Sequence, residues 1–136
     1  MRHVSAGLGE RFAKAGFALH HDPLPFNQIV ERSRILVSHG GHGFVCSALL
    51  AGLPQLICHY DIEKRLHANA VAAMQLGGHV PLNRIQPDTF ATFLSRLYED
   101  EDLADRARAA GVDFRSRVNS ADGGFVIDRI DSLLRN

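Results

Sequence analysis

Charge of one sign is the first thing this chain lacks. Fifteen lysines and arginines balance fifteen aspartates and glutamates over 136 residues, for a formal net charge of zero. A balanced chain offers no bulk electrostatic hold on nucleic acid or on an anionic membrane surface, so neither is expected as a partner. Long apolar runs are missing as well. None approaches the roughly 20 residues that cross a bilayer and no signal peptide opens the chain, so no transmembrane segment and a cytoplasmic location are expected. Cysteine is scarce: Cys46 and Cys58 are the only two and form no C-x-x-C pattern, which suits a reduced protein and not a disulfide framework. Familiar catalytic signatures are absent too. There is no G-x-S-x-G nucleophile elbow, which argues against a serine hydrolase, and no G-x-G-x-x-G, which leaves a classical dinucleotide site unsupported. No repeat, low-complexity tract or linker interrupts the chain, so residues 1–136 are expected to form one domain, burying about two thirds of its unfolded surface.

Histidine, by contrast, is plentiful, with eight in the chain. His39 and His42 fall in a glycine loop, and no carboxylate or cysteine completes a ligand set by spacing with His20, His21, His59, His67 or His79, so no metal is expected. Cys58 and His59 are neighbours on an expected strand and would point to opposite faces, which argues against a thiol nucleophile.

What the chain does carry is concentrated in the run Ile35-Leu36-Val37-Ser38-His39-Gly40-Gly41-His42-Gly43-Phe44. An apolar, β-branched stretch reads as a buried parallel strand that empties into a glycine cluster. Val45–Ala51 then reads as a helix closed by Gly52 and Pro54. Strand, glycine turn and helix together aim several backbone N–H groups and a helix N-terminus at one spot, which favours an anion such as a phosphate. The plain alternative is a tight connection with no ligand.

The surrounding pattern predicts an α/β domain. Ser5 to Ala15 reads as a helix, Phe17 to His20 as a short strand, and Pro25 opens a helical turn through Val30. After the glycine turn and its helix, Gln55–Cys58 reads as a second buried strand. Ile62 to Leu76 has helical spacing that Gly77-Gly78 would stop, and His79–Leu82 reads as a last strand. Pro87 opens a helix with Phe90, Phe93, Leu94 and Leu97 on one face. Asp100, Glu101 and Asp102 suit a new helix N-terminus, the charge-rich stretch from Asp100 to Arg117 reads as a solvated face, and a final helix carries Val126, Ile127, Ile130, Leu133 and Leu134. Strands alternating with helices imply a parallel sheet covered on both faces, with ligands at the carboxyl ends of its strands.

Several ordered segments resemble the C-terminal, donor-binding domain of GT-B glycosyltransferases of the UDP-glycosyltransferase superfamily, bacterial and sterol-type members in particular. Pro25-Phe26-Asn27-Gln28-Ile29-Val30 looks like the P-F-x-x-L-L turn, and Val37-Ser38-His39-Gly40-Gly41-His42-Gly43 looks like the V-x-H-G-G-x-G diphosphate loop. Ala51-Gly52-Leu53-Pro54-Gln55 looks like A-G-V-P-Q, and Asn69-Ala70 with Leu76-Gly77-Gly78 looks like the N-A and L-G-x-G that follow. The match spans roughly residues 17 to 82.

The resemblance implies a Rossmann-like half of a GT-B fold, expected to lack its first strand, that serves an inverting transfer of a hexosyl group to an unknown acceptor. It implies a UDP- or TDP-linked sugar as substrate and no cofactor. His39, Gly40, Gly41, Gly43 and Phe44 would meet the diphosphate, Pro25 and Phe26 would line the base, Ser47 would lie near the ribose, and Glu63 and Lys64 would face the donor sugar. Four positions depart from the family's pattern: Phe44 replaces Thr or Ser, Ser47 replaces a Glu found in many members, His59 replaces a proline, and Glu63-Lys64 replaces Asp-Gln or Glu-Gln. The acceptor-binding half that holds the family's catalytic base is not expected within these residues. Transfer would then require an acceptor-binding domain or subunit as partner. Two alternatives stay open: a non-catalytic nucleotide-binding module, and an interaction subunit whose open sheet edge pairs with a partner or with a second copy as a homo-oligomer.

Overall fold

Glycine punctuation and buried apolar segments place the elements of the chain. The computed structural model describes residues 6–20 and 22–120. In chain order the elements are α1 (Ala6–Lys14), α2 (Phe26–Val30), β1 (Leu36–Ser38), α3 (His42–Ala51), β2 (Gln55–His59), α4 (Ile62–Ala73), β3 (Gly77–Pro81), a 3-10 turn at Leu82–Arg84, α5 (Pro87–Glu99) and α6 (Glu101–Ser120). The strands form a parallel sheet in the order β1-β2-β3, the arrangement that alternating strands and helices imply. Every residue of the central strand β2 is buried. Around it Val45 of α3, Ala68 and Val71 of α4, Leu76 and Ala107 of α6 close the core on Ile57.

The α3–α6 contact brings two backbones together. A Cβ on Gly111 would lie 2.6 Å from the Gly52 Cα, so only glycine lets the two helices pack this closely. Asp100 begins α6 by accepting the Leu103 N–H at 2.8 Å, and its neighbours Glu101 and Asp102 complement the positive end of the helix. The charged residues Asp105, Arg106, Arg108 and Asp113 of α6 are exposed.

Three expectations are corrected. Phe17–His20 forms no strand. Gly16 turns left-handed at φ 83°, its N–H bonds to the Ala13 carbonyl, and the Phe17 N–H reaches back to Phe12. This Schellman closure folds the Phe17 ring edge-on to Phe12 at 5.4 Å. Gly77-Gly78 does not stop α4. The helix ends at Ala73, Gln75 takes the left-handed turn at φ 57°, and both glycines belong to β3. They are needed for close approach: a Cβ on Gly77 would overlap the Gln55 carbonyl, and one on Gly78 would meet the Phe93 ring at 2.5 Å. Finally, β1 begins at Leu36 and not at Ile35, and Leu82 lies in the 3-10 turn beyond β3. The expected last helix through Val126 to Leu134 lies outside the described residues. Among the described residues no helix is long and apolar enough to cross a membrane.

Candidate functional site

The glycine turn lies at the carboxyl end of β1 and opens α3. Gly40 is its pivot. At φ 88° it occupies the left-handed region, and a Cβ there would come 2.7 Å from the Ile57 Cγ2 in the core, so the turn can press against β2 only through a glycine. Its N–H is held by the Ser38 Oγ at 3.1 Å. Its carbonyl accepts from His67 Nδ1 at 2.9 Å, which fixes the proton of that ring on Nδ1, since a carbonyl can only accept.

Gly41 is the N-cap of α3 with extended backbone, and no side chain caps the helix. The first intrahelical bond runs from the Val45 N–H to the Gly41 carbonyl at 3.0 Å. The N–H groups of His42, Gly43 and Phe44 therefore have no acceptor within the helix. His39 is exposed and bends over the turn, so that a Cβ on Gly41 would lie 3.0 Å from its Nε2. A Cβ on Gly43 would meet nothing within 4 Å, which leaves the face above the free amides open. Ser47 is half-buried one helical turn further along α3.

The base-lining pair from the sequence meets this turn. Phe26, at the start of α2, packs edge-on against Phe44 with ring centres 5.4 Å apart, while Pro25 caps α2 and is exposed. Phe44 thus serves as a wall and contributes its backbone N–H to the turn.

Of the two residues expected at the donor sugar, Glu63 is exposed in the first turn of α4. Lys64 is not the solvated lysine that its helical position suggests. Its Nζ donates to Asp61 Oδ2 at 2.7 Å, lies 4.9 Å from the centre of the Tyr60 ring, and the side chain is only 13% exposed. Its backbone borders the turn, with the Lys64 carbonyl 3.4 Å from where a Gly40 Cβ would stand. The side-chain hydrogen bond from Lys64, joined by the backbone bond from the Lys64 N–H, holds the Asp61 carboxyl below its ordinary range. The same pairing raises Lys64.

Asp61 and Tyr60 escaped the sequence reading, which weighed His67 only as a metal ligand. Asp61 had a local signal, an N-cap acid three residues before Lys64. His67 had none, because its partner is 27 residues away. The histidines meet in pairs: His42 and His67 rings stand 5.3 Å apart, His42 Nε2 lies 3.7 Å from Cys46 Sγ, and His59 Nε2 lies 3.2 Å from His79 Nδ1. The His42–Cys46 spacing of one helical turn becomes legible once α3 is started at His42 and not at Val45. Among the described residues no group of three His, Cys, Asp or Glu side chains is arranged to hold a metal ion.

A parallel sheet with a glycine turn opening a helix at its carboxyl edge is the arrangement in which open α/β domains place their ligand sites. Comparison with known proteins narrows it: residues 18–120 match the family of erythromycin biosynthesis protein CIII-like C-terminal domains, and the chain belongs to that family. The elloramycin glycosyltransferase ElmGT of Streptomyces olivaceus is 33% identical over 101 residues, which are 74% of this chain and 25% of the relative. The NDP-glycosyltransferase YjiC of Bacillus subtilis is 25% identical over 85 residues, 62% of this chain and 22% of the relative. Among solved structures, the glycosyltransferase of kitacinnamycin superposes with a TM-score of 0.70 at 20% identity, covering 80% of this chain and 28% of that one. The Streptomyces sp. SF2575 glycosyltransferase SsfS6, solved in complex with thymidine diphosphate, gives 0.59 at 24% identity, covering 68% and 24%. The fold is therefore that of the C-terminal domain of GT-B glycosyltransferases, and the chain spans about a quarter of the length of the relatives it matches.

Proposed function

We propose that this domain binds the donor of a glycosyltransferase, a UDP- or TDP-linked hexose, at the turn His39–Phe44. The observation that carries the reading is the bare N-terminus of α3: three amides without an intrahelical acceptor beneath a glycine that leaves their approach open. A diphosphate there would accept from the His42, Gly43 and Phe44 N–H groups and from the His39 imidazole, and Ser47 lies on the same helix one turn deeper. The base would lie along Pro25 and Phe26, with Phe26 held by Phe44. The thymidine diphosphate bound to SsfS6, a protein of the same fold, supports this ligand class.

The chemistry follows from charge. In an inverting transfer, negative charge grows on the departing nucleoside diphosphate as the bond to the sugar breaks, and fixed N–H dipoles with a helix N-terminus stabilise it without a metal cofactor. The acceptor and the base that deprotonates it would come from an acceptor-binding domain or subunit. Glu63 would face the sugar hydroxyls. Lys64, already tied to Asp61, would orient the turn and contribute less directly to the sugar.

A second reading, a nucleotide-binding module without catalysis, draws on two of the four departures: Phe44 brings no hydroxyl, and Lys64 is engaged. Titration of the isotopically labelled chain with UDP, TDP and UDP-glucose tests both. Saturable amide shifts centred on Gly40–Phe44 are expected. Their absence at millimolar ligand would remove the donor reading. Binding without transfer, even after an acceptor-binding domain is supplied, would favour the module.

A further inference from the structure

One cavity stands apart from the glycine turn. It lies between α4 and β3, has a volume of about 910 Å³, and is bordered by the carboxyl ends of β2 and β3. We propose that this cavity is a second binding site that takes an organic carboxylate with an apolar body, and that the His59–His79 pair couples its binding to proton uptake.

Charge is the first argument. Arg65 of α4 and Arg84 of the 3-10 turn both line the cavity, and among the described residues neither guanidinium is paired with an acid. The one carboxylate in the lining, Asp61, is already neutralised by Lys64 at 2.7 Å. Two uncompensated guanidiniums therefore share one concave space, and the planar fork of each matches a carboxylate. A phosphate fits less well. The N-terminus of α4 that borders the cavity is capped, since Asp61 takes the Lys64 N–H at 2.9 Å, so the main chain supplies no ready amide cradle of the kind phosphates use.

Apolar surface is the second argument. Tyr60, Ile62 and Leu82 line the same space and stand 62%, 78% and 51% exposed. Large apolar side chains this open beside two free arginines suit a ligand with a ring or chain behind its acid group, and the volume is that of a pocket for a small organic molecule.

The histidine pair supplies the third. His59 is only 6% exposed, stands where the resemblance expects proline, and shares one proton bridge with His79 of the neighbouring strand at 3.2 Å. Burial, then the neighbouring His79 and then the Arg65 charge, hold the His59 imidazole below its ordinary range, against a smaller opposing effect of Asp61. The charged or titratable groups facing the pair are thus Arg65 and Asp61 from α4 and its cap, with Arg84 and Tyr60 on the rim of the cavity. An anion seated beside Arg65 would offset part of the positive charge that, together with burial, disfavours the His59 imidazolium. Protonation and binding would then favour each other, and affinity would rise as pH falls.

The test uses the full labelled chain with 2-naphthoate as probe and neutral 2-naphthamide as its isostere. Naphthoate is expected to shift the Asn69, Leu82 and Asn83 amides saturably, and naphthamide to bind at least about tenfold more weakly. The exposed pair R65Q/R84Q should fold normally and lose about tenfold in naphthoate affinity. Between pH 8 and pH 5.5 wild type should tighten about threefold or more, and H79Q should flatten that dependence. Equal binding of naphthamide, unchanged affinity in R65Q/R84Q, shifts confined to Gly40–Phe44, or no shift at about 5 mM probe would each overturn the site. A flat pH profile in wild type would overturn the proton coupling. UDP titration of R65Q/R84Q should match wild type, so failure here leaves the donor reading standing, and the reverse also holds.

Discussion

Gly40→Ala gives the sharpest test of how the turn is built. An alanine at φ 88° carries a left-handed penalty of about 1–2 kcal/mol. Its Cβ would stand 2.7 Å from the Ile57 Cγ2, where carbon pairs ordinarily rest at about 3.5–4.0 Å. Ile57 is fully buried among side chains of α3, α4 and α6 and has little room to yield, so overpacking adds about 1–3 kcal/mol. The sum, about 2–5 kcal/mol, is a large share of a total stability on the order of 5–15 kcal/mol. With a urea slope of about 1–3 kcal/mol per molar, the midpoint should drop by at least about 0.7 M at an unchanged slope. Gly43→Ala is the internal control. Its Cβ enters open space in the first turn of α3, so stability should hold within about 0.5 kcal/mol or rise by up to about 1 kcal/mol. The same methyl should nevertheless weaken UDP or TDP binding by obstructing the amides. Urea melts of both variants decide the matter. If Gly40→Ala melts like wild type, or Gly43→Ala falls as far as Gly40→Ala, the account of the turn as a glycine wedge on the core is wrong.

Four further outcomes are expected. Gln75→Gly should raise stability by about 0.5–1 kcal/mol in the same urea assay, because Gln75 holds a left-handed φ of 57° that glycine adopts without strain. His67→Phe should lower stability by about 1 kcal/mol and speed hydrogen exchange in the turn, since it deletes the bond to the Gly40 carbonyl. Asp61 has a folded pKa below its unfolded value, so its contribution is complete above about pH 4 and lost as acid protonates the folded carboxylate. Thermal melts of D61N should therefore start lower at pH 7 and lose less than wild type on acidification below pH 4. His59 is also held low in the folded state. The unfolded chain then takes up its proton first, and stability should fall as pH drops below about 6.5, a slope that H59Q should reduce in melts from pH 7.5 to pH 5.

The alternation of elements was legible because each segment carried its own period and its own stop. Leu36–Ser38 and Gln55–His59 are short apolar runs, Pro87 opens α5, and Asp100 opens α6. Errors arose where one residue type serves two purposes. Apolar Phe17 reads as a strand residue until Gly16 is seen to close α1 and fold it onto Phe12. The pair Gly77-Gly78 reads as a helix stop, yet it is required by the Gln55 carbonyl and the Phe93 ring, neither of which is near in sequence. At the site, the order of glycines was readable, but their division of labour was not. Gly40 answers to Ile57 and Lys64, Gly41 to His39, and Gly43 to open space. The bonds His67–Gly40 and His59–His79 span 27 and 20 residues, and no local pattern signals such pairings.

These attachments separate the scaffold of the turn from its rim. Gly40 is wedged on Ile57, tied through its N–H to Ser38 and through its carbonyl to His67, so the main chain is shaped by the core and by α4 before any ligand arrives. Side chains that depart from the expected pattern have partners of their own: Phe44 packs against Phe26, Lys64 bonds Asp61, and His59 meets His79. A preorganised cradle loses little conformational freedom on binding, so in the proposed donor reading its hold on a diphosphate would depend mainly on backbone amides that side-chain changes at the rim leave in place. The same changes alter what surrounds that cradle, by removing a hydroxyl at Phe44, closing off a lysine at Lys64, and placing an ionisable pair beside two free arginines. Under the donor reading, selectivity for the rest of the ligand could thus diverge while the glycine turn keeps its shape, which is why the glycine turn is readable where the side chains around it do not follow the family.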